Sequence, residues 1–360
     1  MTSPSTLSVR AYGTGWYHAA YSAELPVGAV LPLRYFGHDI VAFRTEEGQA
    51  RLLEAHCPHM GAHLGYGGEV RGGNIMCPYH NWEWRGSDGL NAAIPGLDRT
   101  IRKSIATWRV HESDGVIYLW FSRTGDEEPT WLPPTLDESR DSSYYPLYPH
   151  GVNRATVTFP PQFAFENVAD ISHLRTVHGW VDVPVLNAAG PEGPMFFTDF
   201  TGLVSTSKGP VTTRIENYQW GLGLVYSRLH GLHPTAQISS ITPIDHESSV
   251  YALSIFAGRV PGDDGDEPTG RARAVIEEQA RQALNDDSKD RQIWDHQVYI
   301  DNAPLVGDER MTIGAFRRWS RQFREDIASV SPVAPPVPLA PRRAFPLALS
   351  EFKLEEYVSA

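Results

Sequence analysis

The chain has 360 residues, room for two domains at the usual ~100 to 200 residues each. Hydrophobic residues make up 41% and charged residues 21%, ordinary globular usage that excludes a disordered or fibrous chain. Lys and Arg together number 31 against 43 Asp and Glu, and a formal charge of -12 repels phosphate backbones, so no nucleic-acid partner is expected. The opening residues MTSPSTLSVR lack an apolar signal core, and the longest apolar run, residues 116–121, is far too short to cross a bilayer. No membrane span and a cytoplasmic location are therefore expected.

Only two cysteines occur, Cys57 and Cys77, which rules out a disulfide scaffold. Their surroundings read CPHMGAHLGYGGEVRGGNIMCPYH, that is Cys57-x-His59 and, after residues 60–76, Cys77-x-x-His80. Glycines at 65, 67, 68, 72 and 73 allow the spacer to turn tightly and bring the two loop tips together. Zinc also accepts two Cys and two His, but structural zinc sites usually draw the Cys pair from one loop and the His pair from the other. One of each per loop suits a two-iron cluster, in which the thiolates hold one iron and the imidazoles the other. His56 and His63 flank the first loop and read as neighbours of a ligand set already complete.

Cys-x-His followed by Cys-x-x-His is the Rieske signature. The segments Trp16-Tyr17-His18, Ser22-Ala23-Glu24-Leu25, Val41-Ala42-Phe43-Arg44, Cys77-Pro78-Tyr79-His80-Asn81-Trp82 and Ile94-Pro95-Gly96 resemble the opening of the Rieske oxygenase family. Asn81 stands where that family usually carries glycine, and Asn tolerates positive φ better than most residues. The resemblance implies an all-β Rieske [2Fe-2S] domain over residues 1–125, with Cys57, His59, Cys77 and His80 as cluster ligands. A Pro-rich linker is expected to about residue 148, then a catalytic domain over 149–360.

Residues 165–178 read as a helix that places Asp170 and His173 on one face. His178, five residues on, is turned by ~140°, so the helix must end or bend there, which Gly179 permits. Two histidines need one carboxylate to complete the facial triad of a non-heme Fe(II) oxygenase. Asp170-x-x-His173-x₄-His178 resembles the family's mononuclear site. The resemblance implies that His173 and His178 bind Fe(II), while Asp170 links His173 to the cluster ligand His80 without ligating. The carboxylate is expected from a long charged helix over about 270–299, with Asp286, Asp287, Asp290 and Asp295 as candidates. Residues 289–294, 299–302 and 316–319 resemble the ending of the family's steroid-ring hydroxylases, which implies Asp290, although Lys289 replaces the usual Gln before it.

Segments 195–203, 211–219, 222–229, 236–244 and 250–256 are rich in β-branched and aromatic residues and read as an antiparallel sheet. With the long helix they resemble a helix-grip catalytic domain, so the expected class is α+β. Trp220 and Tyr226 fit equally as pocket lining or as core. Residues 331–346 are Pro-rich and expected to be extended. No nicotinamide or flavin fingerprint appears. The resemblance therefore implies a terminal oxygenase, a likeness greatest to ketosteroid 9α-hydroxylases and sterol desaturases, that works as a homotrimer. Its electrons would come from NAD(P)H through a separate reductase, with or without a ferredoxin. The substrate class it implies is bulky and hydrophobic, steroid-like or polycyclic; the alternatives are N-oxygenation of an aryl amine and oxidative demethylation. A pure electron carrier is a different class of reading and would need the cluster alone.

Overall fold

The computed structural model describes residues 11–125 and 127–324. These form two compact units: Tyr17–Phe121 with the short return Thr242–His246, and the remaining described residues. The Pro-rich segment 331–346 lies outside the described residues. No helix among the described residues is long and apolar enough to cross a membrane.

The first unit is all-β, from short strands in three sheets. Strands β1 (Gly15–Tyr21), β2 (Val30–Tyr35), β3 (His38–Arg44), β4 (Ala50–Glu54), β5 (Glu69–Arg71), β6 (Asn74–Met76), β7 (Glu83–Arg85), β8 (Asn91–Ala93), β9 (Arg109–Ser113) and β10 (Val116–Phe121) occur in chain order. They pair as β1-β10-β9, β2-β3-β4 and β5-β6-β7-β8. The run Val-Ile-Tyr-Leu-Trp in β10 is buried throughout, as expected of a strand covered on both faces. A core of Val41, Phe43, Leu53, Leu64, Ile75 and Trp84 closes around Cys57 and Cys77.

The second unit is built on a seven-stranded sheet, ordered β11-β17-β16-β15-β14-β13-β12. Its strands are β11 (Val152–Val157), β12 (Val185–Glu192), β13 (Met195–Val204), β14 (Val211–Trp220), β15 (Leu224–His230), β16 (Thr235–Pro243) and β17 (Ser249–Ala257). The five strands expected from sequence are present within two residues at each end. The two flanking strands were not expected. β12 reads VLNAAGPE, with Gly and Pro in its body and no fully buried residue, so it carries no alternation to detect.

Two expected helices are each broken into two. The helix expected over 165–178 is α1 (Pro161–Ala169) followed by the single turn α2 (His173–Thr176). Asp170 ends α1 in an extended conformation, and its Oδ1 accepts the Ser172 N–H at 2.8 Å, a side-chain turn that competes with the helical bond. Asp170 and His173 therefore do not share a helical face. The helix expected over 270–299 is α3 (Gly270–Leu284) and α4 (Lys289–Trp294). The polar run Asn285 to Ser288 interrupts it, and Ser288 caps the new helix by accepting the Arg291 N–H at 3.1 Å. Ala272, Ile276, Ala280 and Leu284 form the buried stripe of α3, which packs on β17 and β11. A last helix, α5 (Ile313–Ser320), sends Arg317 to Glu166 of α1 in a two-bond ion pair at 2.8 and 3.0 Å.

The sheet separates its faces by chemistry. Phe200, Ile215, Asn217, Val225 and Ser227 line a cleft on one face. Their neighbours in sequence, Asp199, Arg214, Glu216 and Arg228, point to the other. There Arg228 is paired with Glu138 at 2.6 Å, both almost fully buried, so the segment expected to be a plain linker is packed against this face. Trp220 and Tyr226 also belong to this face and do not line the cleft.

Burial alone would raise the Glu216 carboxyl, but the His230 hydrogen bond at 2.7 Å and the Arg214 charge outweigh it and hold the group below its ordinary range. The unfolded chain releases this proton near ~4.3. A lowered folded value means that the stabilisation is complete above that pH and is lost as the pH falls through the folded value. Glu216→Gln is expected to lower the urea midpoint at pH 7 and to flatten its decline on acidification below ~4.3. A parallel pH series of the two proteins measures this; an unchanged acid slope would contradict it.

Candidate metal centres

The two loops of the first unit are near copies of one another. Cys57 N–H donates to the Ala62 carbonyl and Gly61 N–H returns to Cys57; Cys77 N–H donates to Trp82 and Asn81 N–H returns to Cys77. Gly61 and Asn81 hold equivalent corners with φ of 75° and 56°. Asn81 thus adopts the positive φ for which glycine is the usual solution. Cys57 and Cys77 are buried at 2% exposure each, whereas His59 and His80 are exposed. The imidazole centroids lie 4.7 Å apart, and His59 stacks on Trp82 at 4.0 Å.

These residues fit a two-iron cluster. Burial pushes the Cys57 thiol up, and the adjacent Cys77 adds to the shift, so two thiolates here demand cationic charge between them. The cysteines are not joined in a disulfide. The buried indole N–H of Trp84 acts on the Cys57 sulfur and favours its thiolate form. His56 bonds to Asp39 at 3.2 Å and to the Gly61 carbonyl at 3.1 Å, and His63 accepts from Gly65, so both support the first loop.

In the second unit, donor atoms of His173, His178 and Asp290 lie within 4.8 Å of one another. His178 Nε2 and Asp290 Oδ2 are 3.0 Å apart. Two ligands at about 2.1 Å from one metal, set at a right angle, are separated by about 3.0 Å, so the triad fits a single ion with positions left open. Each ligand owes its place to a local break. Gly179, at φ 69°, ends the α2 turn just after His178, and Ser288 starts the short helix that carries Asp290. His173 Nδ1 meets the Asp170 carbonyl oxygen at 2.6 Å, which places the ring proton on Nδ1 and leaves Nε2 as the ligand atom. Burial holds the His173 imidazole below its usual range, against the opposing carboxylates of Asp170 and Asp290. The neutral form is the one that binds a metal.

Among the four acids considered for the carboxylate, Asp290 alone joins the histidines. Asp286 is almost wholly exposed and bonds to Arg291 at 2.8 Å, and Asp295 lies 3.6 Å from the same guanidinium. Lys289, which departs from the family's Gln, donates to the Val177 carbonyl at 2.9 Å and so ties the Asp290 helix to the residue before His178. Sequence reasoning gave Lys289 no such task. The Asp170 carboxylate lies only 3.9 Å from His173 Nδ1, so it is the main-chain carbonyl that orients the ring.

The triad sits in a cleft between the sheet and the helices, lined also by Asn167, Phe165, Leu174 and Leu253. Mouth included, it leaves about 1010 Å³ unfilled by protein.

Residues 15–109 match the family described as Rieske [2Fe-2S] domain, and residues 119–324 match the 3-ketosteroid 9alpha-hydroxylase C-terminal domain. The chain belongs to this family of Rieske proteins with a ketosteroid-hydroxylase-type C-terminal domain. It is similar to a cholesterol 7-desaturase of Hemicentrotus pulcherrimus, 33% identical over 87% of this chain and 70% of the relative. It resembles a cholesterol 7-desaturase of Bombyx mori at 39% over 46% of this chain and 36% of the relative. The match thus spans about a third of that relative's length. The oxygenase component of a 3-ketosteroid-9-alpha-monooxygenase of Mycolicibacterium smegmatis is 25% identical over 89% of this chain and 85% of its own. A solved dicamba monooxygenase bound to 3,6-dichlorosalicylic acid superposes with a TM-score of 0.65 at 17% identity, over 88% of this chain and 97% of that one; it shares the fold.

The two centres are expected to be separable by mutation. Asp290→Ala should lose the lone iron and retain the visible absorption of the cluster, whereas Cys77→Ser should do the reverse. Iron analysis beside the absorption spectrum checks both; loss of the two signals together in either variant would contradict independent sites.

Proposed function

We propose that this chain is the terminal oxygenase of a multicomponent system, inserting oxygen into a bulky, hydrophobic, steroid-like substrate. The observation that carries the reading is the presence in one chain of two different donor sets, Cys57, His59, Cys77 and His80 in one unit and His173, His178 and Asp290 in the other. An electron carrier has no use for the second set. The bound metals supply one-electron storage at the cluster and an open coordination position for dioxygen at the lone iron. The overall reaction takes the substrate C–H, dioxygen, two electrons and two protons to the alcohol and water.

The residues of the chain divide the remaining work. His173 and His178 offer neutral nitrogen and Asp290 one negative charge, leaving the rest of the coordination sphere to face the cleft. Apolar side chains, Phe165, Leu174, Phe200 and Leu253 among them, exclude water and match a hydrocarbon skeleton. The relatives named for cholesterol and for 3-ketosteroids support a steroid-like skeleton here.

Electrons would come from NAD(P)H by way of a separate reductase, with or without a ferredoxin, and leave the cluster through its exposed histidine end. Around that end Met60, Tyr66 and Tyr79 are 65%, 70% and 60% exposed. Such a rim of large apolar side chains favours burial against another protein surface. In the reading proposed here that surface belongs to a neighbouring copy in a homotrimer, with Asp170 linking His80 of one copy to His173 of the next, its main-chain carbonyl on the His173 ring and its carboxylate toward His80.

The test is a single turnover. Chemically reduced, iron-loaded protein is mixed with oxygen and an equal mixture of ketosteroids, sterols and aryl amines, and the products are read by mass spectrometry. A steroid or sterol heavier by one oxygen, labelled from ¹⁸O₂, is expected. Oxidation of the amine alone, or no oxidation by a protein with both centres filled, would overturn the steroid-like substrate.

A further inference from the structure

Among the described residues most polar side chains that line the cleft are engaged; Gln237 and Gln279 are not, and of these two only Gln279 has a buried atom left unpaired. Asn217 donates to Thr198 at 3.2 Å and accepts from Ser227 at 2.7 Å, so its amide is occupied on both sides. Ser239 is bonded to the Tyr251 hydroxyl, and Gln282 donates to Glu278 at 2.6 Å. Gln279 differs. It lines the same cleft, and its Oε1 is buried with no hydrogen-bond partner. A buried amide oxygen left unpaired is costly, and the residue that carries it lines the cleft.

Its position in the chain accounts for the arrangement. Gln279 lies on α3 one residue before Ala280 of the buried stripe, which sets it at the border between the core-facing and outer sides of the helix. It comes five residues before the helix ends, roughly 7.5 Å of axial rise. A long side chain at that border can lay its methylenes along apolar neighbours and carry its amide into the cleft.

We infer that Gln279 is the residue that reads an oxygen function on the substrate: its buried Oε1 accepts the proton of a hydroxyl group on the ring skeleton, so the cleft selects a sterol alcohol over the ketone of the same skeleton. The inference rests on the steroid-like substrate proposed above and refines it. A hydroxyl supplies the missing donor and satisfies the amide; a carbonyl brings a second acceptor and leaves Oε1 unpaired. A site with a buried polar group discriminates against an analogue that fails to pair with it more strongly than an apolar wall discriminates by shape. The hydroxyl also fixes the skeleton at one point, which determines the carbon presented to the His173, His178 and Asp290 centre.

The probes are 5α-cholestan-3β-ol and 5α-cholestan-3-one, which differ in that oxygen function alone. Equilibrium binding of each is measured with the iron-loaded wild type and with Gln279→Leu, and single-turnover products are collected from the same samples. The wild type is expected to bind the alcohol about tenfold more tightly than the ketone, and the variant to bring the ratio near one chiefly by weakening the alcohol. A wild-type preference for the ketone would overturn the inference, since the amide would then be presenting its N–H. An alcohol preference that survives in Gln279→Leu would overturn it too, because another group would be the reader. In both cases turnover of either steroid leaves the oxygenase reading standing. Failure of the wild type to bind and oxidise either compound would overturn the steroid-like substrate, and the inference with it.

Discussion

Everything in the second unit depends on holding one buried carboxylate, that of Asp290, within 3.0 Å of His178 with no Lys or Arg paired to it among the described residues. A carboxylate at 8% exposure is costly unless it is paired, and a metal with two neutral imidazoles is the pairing that this geometry offers. The guanidinium of the next residue, Arg291, is turned to Asp286, Asp295 and the Leu284 carbonyl instead. The fold keeps Asp290 available by interrupting two helices at the right points. A continuous helix through 165–178 or through 270–299 would fan these side chains around the axis.

The first unit meets the opposite constraint. In the reading proposed above, its cysteines must be dry enough to favour charge neutralisation by metal, while its histidines must be accessible enough to pass charge outward. The two matched loops do both, with Cys57 and Cys77 in the core and His59 and His80 at the exposed tips. Asn81 holds its corner at φ 56°, a left-handed conformation that Asn takes more readily than most residues other than glycine.

The candidate cluster site, Cys57, His59, Cys77 and His80, was legible because four residues of two rare types recur at a fixed spacing within a short stretch, and local spacing carries over directly into geometry. His173 and His178 were nearly as plain. Asp290 was one of four acids, and only likeness to related sequences separated it from Asp286, Asp287 and Asp295; its distinction is tertiary, a matter of which acid the Ser288 cap turns inward. The five central strands announced themselves by their β-branched and aromatic residues, whereas β12, with its Gly and Pro, did not. The broken helices were missed because helical periodicity continues across Asp170 and across 285–288, while the side-chain bonds that stop each helix depend on rotamers. Gln279 gave no signal, since an uncharged residue at the edge of a helix stripe looks like surface. Lys289 appeared only as a departure from a pattern.

The most direct measurement is anomalous diffraction at the iron absorption edge from crystals of the iron-loaded protein. The account predicts a lone peak within coordination distance of His173 Nε2, His178 Nε2 and Asp290, and a separate close pair of peaks bounded by Cys57, Cys77, His59 and His80. Iron held by Asp286, Asp287 or Asp295, or a pair of peaks with no lone site in fully loaded protein, would contradict it.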